Sequence, residues 1–332
     1  MDDSTRNDMI HGFTERVRQA KKPVIASHVS PDGDAVGSVM GLAHFLDLAY
    51  GIQAHCALRD PVPRLYEWLP GVERITRPTA IPSDVDLLII ADTHQVERAG
   101  SVAEHVPKDT PVVMIDHHIV TGSVPEHSYI DSTAAAVGEM VGELYRYTQT
   151  PFTSDAATAC YVALSTDTGC FRYPSTTSRS HLMAASFIEG GASVGEVTER
   201  VFDRMSPAKF ALLGLVLDQV EMLAGGRAAG TRLTLADLKQ CGASHEDTDG
   251  LINFLRNVDG VDVAIFCRET GPEETKVSFR ARPGIDASAL ARHFGGGGHA
   301  AAAGVTIDQP LDDACDSVYA YVSGPFLGKK AS

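Results

Sequence analysis

Four short apolar runs punctuate the first part of the chain: "PVIAS" (23–27), "QAHCAL" (53–58), "VDLLIIAD" (85–92) and "PVVMID" (111–116). They are nearly continuous rather than alternating, the pattern of strands buried on both faces of a parallel sheet. Between and after them lie longer stretches that read as helices. Residues 34–50 form one, with Gly51 placed to end it. Residues 131–148 form another, with Asp131, Ser132 or Thr133 expected at its N-cap. Residues 153–167 form a third, capped by Thr153 or Ser154 and followed by Gly169. Strands alternating with helices predict an α/β, doubly wound, mainly parallel domain.

The pattern changes after Asp167. Residues 178–192, 193–203 and 206–223 read as successive helices. From about Arg227 a mixed α+β pattern begins, with strand-like "VDVAIFCRET" and "TKVSFRAR", helix-like "DASALARHF", the run "GGGGHAAAAG" (295–304) and a closing helix over 311–326. The stretch "AGGRAAG" (224–230) is the clearest boundary signal. The expected organisation is a catalytic α/β domain at 1–192, a helical linker at 193–226 and a smaller α+β domain at 227–332.

Composition narrows the function classes. A chain of 332 residues that is 44% hydrophobic has enough material for two cores. A net charge of −15 argues against tight binding to long duplex nucleic acid, which needs a surplus of Lys and Arg. The six cysteines are scattered, with no C-x-x-C pair, which fits a reduced cytoplasmic protein. No apolar run is long enough for a membrane span, and "MDDSTRNDMI" lacks the features of a secretory leader.

The chemistry gathers at the ends of the predicted strands, where open α/β sheets bind ligands. His28, Asp32 and Asp34 follow the first run, Asp92 ends "LLIIAD", and Asp116, His117 and His118 end "VVMIDHH". Asp167 ends a helix in "STDTG". Any one of these alone reads as turn or cap chemistry, and "SPDGD" is an ordinary turn sequence. Together His28, Asp32, Asp34, Asp92, His117 and Asp167 bring four carboxylates and two imidazoles, a charge that two divalent cations would neutralise. Mixed oxygen and imidazole donors favour Mn²⁺, with Mg²⁺ or Co²⁺ as alternatives. Two such ions about 3.5–4 Å apart acidify a shared water and offset charge on a phosphoryl oxygen. The expected reaction is hydrolysis of a phosphate ester or anhydride. In the C-terminal part, the glycine run permits an anion-binding nest with His299 beside it. Arg280 and Arg282, expected on one strand face, supply guanidinium forks.

These motifs resemble the DHH phosphoesterase superfamily. "SHVSPDGDAVGS", "IIADT", "IDHH" and "STDTGCFRYPSTT" are similar to its four N-terminal motifs in order, and "GGGGHAAAAG" to the glycine-rich motif of its associated C-terminal domain. Length and two-domain plan most resemble the bacterial nanoRNase/pAp phosphatase (bifunctional oligoribonuclease) group. The resemblance implies one Mn²⁺ on His28, Asp32 and Asp92, and a second on Asp34, Asp92, His117 and Asp167. It implies His118 facing the scissile phosphate and Asp116 orienting the site from behind. It implies that Arg280, Gly296, Gly297, Gly298 and His299 hold the far end of the substrate, with Arg172 also in contact. Ala300 to Ala303 stand where this group often carries a basic or polar side chain, which bears on substrate preference. The implied activity is Mn²⁺-dependent cleavage of very short RNA and pApA to mononucleotides and dephosphorylation of pAp, in a cytoplasmic homodimer. Alternatives that share the metal centre are a cyclic di-AMP phosphodiesterase and an inorganic pyrophosphatase or exopolyphosphatase. A nuclease of the RecJ type would need an added basic domain, and a non-catalytic nucleotide sensor would be marked by lost ligands.

Overall fold

The four apolar runs of the N-terminal half all become strands of one parallel sheet, completed by two short edge strands. They are β1 (Pro23–Ala26), β2 (His55–Ala57), β3 (Ile75–Thr76), β4 (Leu87–Ala91), β5 (Val112–Asp116) and β6 (Tyr129–Ile130), in the order β3-β2-β1-β4-β5-β6. The structure is a computed structural model that describes residues 2–120 and 122–328, and the chain divides into two units, Met1–Arg204 and Met205–Ser332.

In the first unit the helices are α1 (Asp3–Arg18), α2 (Gly33–Tyr50), α3 (Val102–His105), α4 (Val137–Thr148), α5 (Ser154–Asp167), α6 (Ser178–Glu189) and α7 (Val194–Thr198). Both sheet faces are covered, which explains the continuous apolar runs. Ile25, Leu87, Ile89, Val113 and Ile115 point into the larger core. Val24, Ala26, Leu88, Ile90 and Met114 point into the smaller core on the opposite face. The strand order reverses between β1 and β4, the switch point at which a crevice opens beyond the strand ends.

Three helices of the larger layer pack unusually close. A Cβ on Gly37 of α2 would lie 2.5 Å from the Ala159 carbonyl oxygen of α5, and one on Gly41 would lie 2.7 Å from Cys160 Sγ. A Cβ on Gly33 would collide with Thr166, and one on Gly138 of α4 with Ala163. Glycines spaced four apart on α2 thus let it lie against the small side chains of α5. The N-terminus of α2 is thereby brought beside the C-terminus of α5.

Helix boundaries follow the sequence signals with two exceptions, and in one of them the helix expected over 206–223 ends at Asp218 and gives way to a strand at Glu221–Leu223. Asp32 caps α2 through Ala35 N–H, Gly51 ends that helix at φ 67, and Thr153 caps α5. The helix expected from residue 131 starts later, at Val137, and no side chain of the N-cap residue, Ala136, can cap it. Asp131 closes a turn instead, accepting from Thr133 N–H at 3.0 Å and Thr133 Oγ1 at 2.6 Å. Its other oxygen takes Arg6 at 3.1 Å and Arg179 at 2.7 Å. Arg179 also reaches Glu139 at 2.9 Å and Glu143 at 2.7 Å, so one guanidinium fastens the 131 turn to α4.

The second unit contains α8 (Pro207–Asp218), β7 (Glu221–Leu223), β8 (Ala228–Leu233), α9 (Leu235–Cys241), α10 (Leu251–Arg256), β9 (Val263–Gly271), β10 (Glu274–Ala281), α11 (Ala287–His293), β11 (Gly297–Gly298), β12 (Ala302–Ile307) and α12 (Leu311–Tyr321). Its sheet runs β11-β12-β10-β9-β8-β7 and is antiparallel except between β8 and β9. Residues 224–227 link β7 to β8, with Gly225 and Gly226 at φ 68 and 91. One sheet face packs on α11 and α12, and the other on α8, α9 and α10. Among the described residues no helix is long and apolar enough to cross a membrane. All six cysteines are free thiols.

Candidate metal centre

The strand ends of the first unit deliver the polar groups. Ser27 Oγ donates to the Ala91 carbonyl at 2.8 Å and ties the end of β1 to the end of β4. His28 follows, 7% exposed, with Nδ1 2.9 Å from the Val29 carbonyl. That partner assigns the proton to Nδ1 and leaves Nε2 aimed at Asp92 Oδ2, 3.2 Å away, with Asp32 Oδ1 at 3.9 Å. Burial opposes charge on this imidazole, but the Asp92 carboxylate outweighs it and pulls the pKa up to about 9.

Asp92 is the first residue past β4 and has φ 61, a left-handed conformation that Asp tolerates better than most side chains. Its N–H is locked onto the Ile115 carbonyl at 3.0 Å. Burial would raise its carboxyl, but His117 and His28 hold it below the usual carboxylate range. Oδ1 of Asp92 is buried without a hydrogen-bond partner.

His117 is in the same situation. Its Nε2 lies 3.2 Å from Asp167 Oδ2, 3.5 Å from Asp92 Oδ1 and 3.8 Å from Asp34 Oδ2, yet it is buried and hydrogen-bonded to none of them. Burial opposes its charge, and the carboxylates of Asp167 and Asp92 raise it well above the ordinary imidazole value. Three carboxylates surrounding one nitrogen without bonding it are spaced for something other than a proton.

Asp34 supplies the missing cap of α4. Fully buried, it accepts from Val137 N–H at 2.7 Å, Gly138 N–H at 3.0 Å and Ser38 Oγ at 2.8 Å. The free amides of the α4 N-terminus are thereby satisfied by a carboxylate from α2, a charge the helix dipole favours. Burial and the charges of Asp92 and Asp167 still push Asp34 well above the carboxylate range. Asp32 is more open, with its side chain 58% exposed. Partial desolvation in the cleft, with Asp92 and Asp167 nearby, raises its carboxyl above the usual range.

Asp116 sits behind this ring, fully buried, with both oxygens engaged. Oδ2 is 2.8 Å from His94 Nδ1, and Oδ1 is 2.7 Å from His118 Nδ1 and 3.2 Å from the His118 N–H.

The donors fall into groups whose ligand atoms lie within 4.8 Å of one another: His28, Asp32 and Asp92; Asp34, His117 and Asp167; and Asp92, His117 and His118. Carboxylate oxygens with imidazole nitrogens suit hard to borderline divalent cations. The orphaned Asp92 Oδ1 and His117 Nε2 are the atoms such a cation would satisfy, so these residues fit a metal centre. In the third group His118 already has Nδ1 on Asp116, which leaves only its other nitrogen to face outward.

The strand-end residues picked from the sequence therefore converge: His28, Asp32, Asp34, Asp92, Asp116, His117, His118 and Asp167 meet at one end of the sheet. Arg172 is exposed, with Nε 2.6 Å from the Gly169 carbonyl, on a turn where Gly169, Cys170 and Phe171 all have positive φ. In the second unit, Arg280 lies on β10 and Gly297–Gly298 form β11, paired with β12. The glycine run is not an open nest. Gly295 N–H bonds the Arg292 carbonyl, Gly296 N–H that of Ala291, and His299 N–H that of Ala302. Gly296 is needed for close approach, because a Cβ there would collide with the Gly304 carbonyl. Arg282 lies one residue past the end of β10, where it bonds the carbonyls of Arg256 and Val258 at 3.4 and 3.1 Å. Three contributors escaped the sequence reading: His94, the amides of α4 and the α2 glycines. A Gly-x-x-x-Gly-x-x-x-Gly spacing at 33, 37 and 41 was the available sign of the last.

Comparison with known proteins adds relatives. Residues 22–164 match the family model described as DHH family, N-terminal domain, and residues 230–324 match the DHHA1 domain. The chain is 34% identical over 306 residues to a bifunctional oligoribonuclease and PAP phosphatase NrnA of Thermus thermophilus, covering 92% of this chain and 90% of that one. It is 28% identical to the protein of the same name in Bacillus subtilis, over 86% of this chain and 88% of that one. A crystal structure of an exopolyphosphatase-related protein from Bacteroides fragilis superposes with a TM-score of 0.89 at 25% identity, covering 97% and 98% of the two chains.

Proposed function

The chain belongs to the DHH family, and from that premise we propose that it is a two-metal phosphohydrolase acting on very short RNA, pApA and pAp. The observation that supports this most is the pair of buried, unbonded atoms, Asp92 Oδ1 and His117 Nε2, set among carboxylates. His28, Asp32 and Asp92 hold one cation; Asp34, Asp92, His117 and Asp167 hold the other, with Asp92 common to both. Mn²⁺ is the proposed metal, with Mg²⁺ or Co²⁺ as substitutes. Bound there, the cations supply a nucleophilic water and offset charge on the phosphoryl oxygens. His118, anchored through Nδ1 on Asp116, presents its other nitrogen to the reacting phosphate. Arg172, Arg280, His299 and the strand of Gly296, Gly297 and Gly298 are assigned to substrate binding. Residues 1–192 carry the chemistry, 227–332 the grip, and 193–226 connect them. The relatives' names support the nucleotide substrates, and the free cysteines fit the cytoplasm. A homodimer is proposed from the family resemblance and is read directly by sedimentation equilibrium.

The exopolyphosphatase-related structure favours one competing substrate class. The deciding experiment is hydrolysis of pAp, pApA, a short oligoribonucleotide, cyclic di-AMP, pyrophosphate and polyphosphate at equal concentration with Mn²⁺, Mg²⁺ or Co²⁺. Asp34→Ala and His117→Ala serve as inactive references. Preference for pAp, pApA or short RNA supports the proposal. Dominant cyclic di-AMP, pyrophosphate or polyphosphate turnover would overturn the substrate, and undiminished activity in either variant would overturn the ligand assignment.

A further inference from the structure

We propose that His94 is a positioning residue for His118, acting through the carboxylate of Asp116. The inference rests on the reading of His118 as the phosphate-facing group. Asp116 lies at the end of β5, fully buried, between two imidazoles. His94 Nδ1 approaches Oδ2 at 2.8 Å and His118 Nδ1 approaches Oδ1 at 2.7 Å. An ionised carboxylate only accepts, so both imidazoles donate from Nδ1. When His118 is neutral, that bond places its proton on Nδ1 and leaves the outward nitrogen with its lone pair.

His94 contributes direction. A carboxylate with one partner can turn about its Cβ–Cγ bond and offer either oxygen. With Oδ2 taken by His94, Oδ1 is committed to His118, whose own N–H at 3.2 Å completes the clamp. Removing His94 leaves a buried acceptor unpaired, and the carboxylate turns to relieve it. That turn loosens His118. The His94 side chain is 11% exposed and borders a cavity of about 540 Å³ with Gln95, Met114 and Pro125.

The test compares His94→Leu with His94→Asn, whose amide nitrogen occupies the place of Nδ1. Three quantities are read: Mn²⁺ affinity by spin-resonance titration, kcat and KM for pAp, and the His118 tautomer in the metal-free protein. The tautomer is read by long-range ¹H–¹⁵N NMR at a pH where the ring is neutral. His94→Leu is expected to mix the His118 tautomers and lower kcat by about 10–100-fold, with KM and Mn²⁺ affinity within about twofold. His94→Asn is expected to restore the Nδ1–H tautomer and most of kcat. An unchanged tautomer in His94→Leu overturns the proposal, and so does loss of Mn²⁺ affinity in step with kcat, which would make His94 a support of the metal ligands. His118→Ala with full kcat would instead remove the reading on which the inference rests, while the NMR arm still decides whether His94 orients His118.

Discussion

Gly37→Ala adds a single methyl group to α2 and should disturb the metal centre without touching a ligand. The new Cβ would lie 2.5 Å from the Ala159 carbonyl oxygen, 2.9 Å from Ala163 N and 2.9 Å from Ala163 Cβ. Two of these three atoms are backbone and cannot swing aside. A tolerable carbon–oxygen contact is about 3.3 Å, so α2 and α5 must part by roughly 0.8 Å, the difference between 3.3 and 2.5. Helix propensity favours Ala by about 1 kcal/mol, but overpacking costs about 1–3 kcal/mol. Since the clash is with backbone, the loss wins, by up to about 2 kcal/mol, and the unit's Tm falls by up to roughly 8 °C. The same displacement separates Asp32 and Asp34 on α2 from Asp167 on α5. Metal ligands tolerate shifts of about 0.2 Å, so Mn²⁺ affinity should fall about 10–100-fold. Thermal unfolding and isothermal titration with Mn²⁺ measure both effects. Gly214→Ala in α8 is the control: nothing lies within 4 Å of its Cβ position, so it should stabilise or be neutral. If Gly37→Ala raises Tm, the packing argument fails. A lowered Tm with unaltered Mn²⁺ affinity would show that helix spacing does not set the site.

Arg179→Met removes the guanidinium from Asp131, Glu139 and Glu143, two of them fully buried, and should cost about 3–5 kcal/mol in urea unfolding; a loss under 1 kcal/mol would show the cluster to be dispensable. Burial would raise Asp131, but bonds from Thr133 and Arg179 outweigh it and hold the carboxyl at about 2. Its folded pKa is thus below the unfolded value, so its contribution is present above about pH 4 and disappears as pH falls toward 2. The stability gap between wild type and Asp131→Asn should close over that interval, and a gap that persists at pH 2 would contradict this origin. Mn²⁺ at about 100 times its Kd should stabilise the wild type by about 2.7 kcal/mol and leave Asp34→Ala nearly unmoved, as read by the shift in Tm.

The sheet was legible because burial on both faces writes itself as unbroken apolar runs, and four of its six strands carry one. The cluster of carboxylates and imidazoles was legible for a related reason: three of the four runs stop at an acid or a histidine, and a parallel sheet aligns such stops at one edge. Local rules failed where the partner is distant. The N-terminus of α4 could not be placed from residues 131–133, because Asp34, 103 positions earlier, satisfies its first amides. Gly295 to Gly298 suggested a nest, since glycine allows both positive φ and close approach, and sequence does not distinguish them. Here close approach decides at Gly296, against Gly304. His94 in "ADTHQ" resembles any polar turn residue, and only the fold reveals Asp116 on its inner side.

The order in which the chain is made gives the Asp34–α4 bond a further meaning. All six strands of the first unit precede residue 131, whereas the amides that hold Asp34 come at 137 and 138 and Asp167 comes last. A growing chain can pair its sheet before it can complete the second proposed ligand set, Asp34, Asp92, His117 and Asp167. The proposed two-metal centre is therefore complete only when α4 and α5 have docked. Chains interrupted before residue 137 would lack both Asp167 and the amides that hold Asp34.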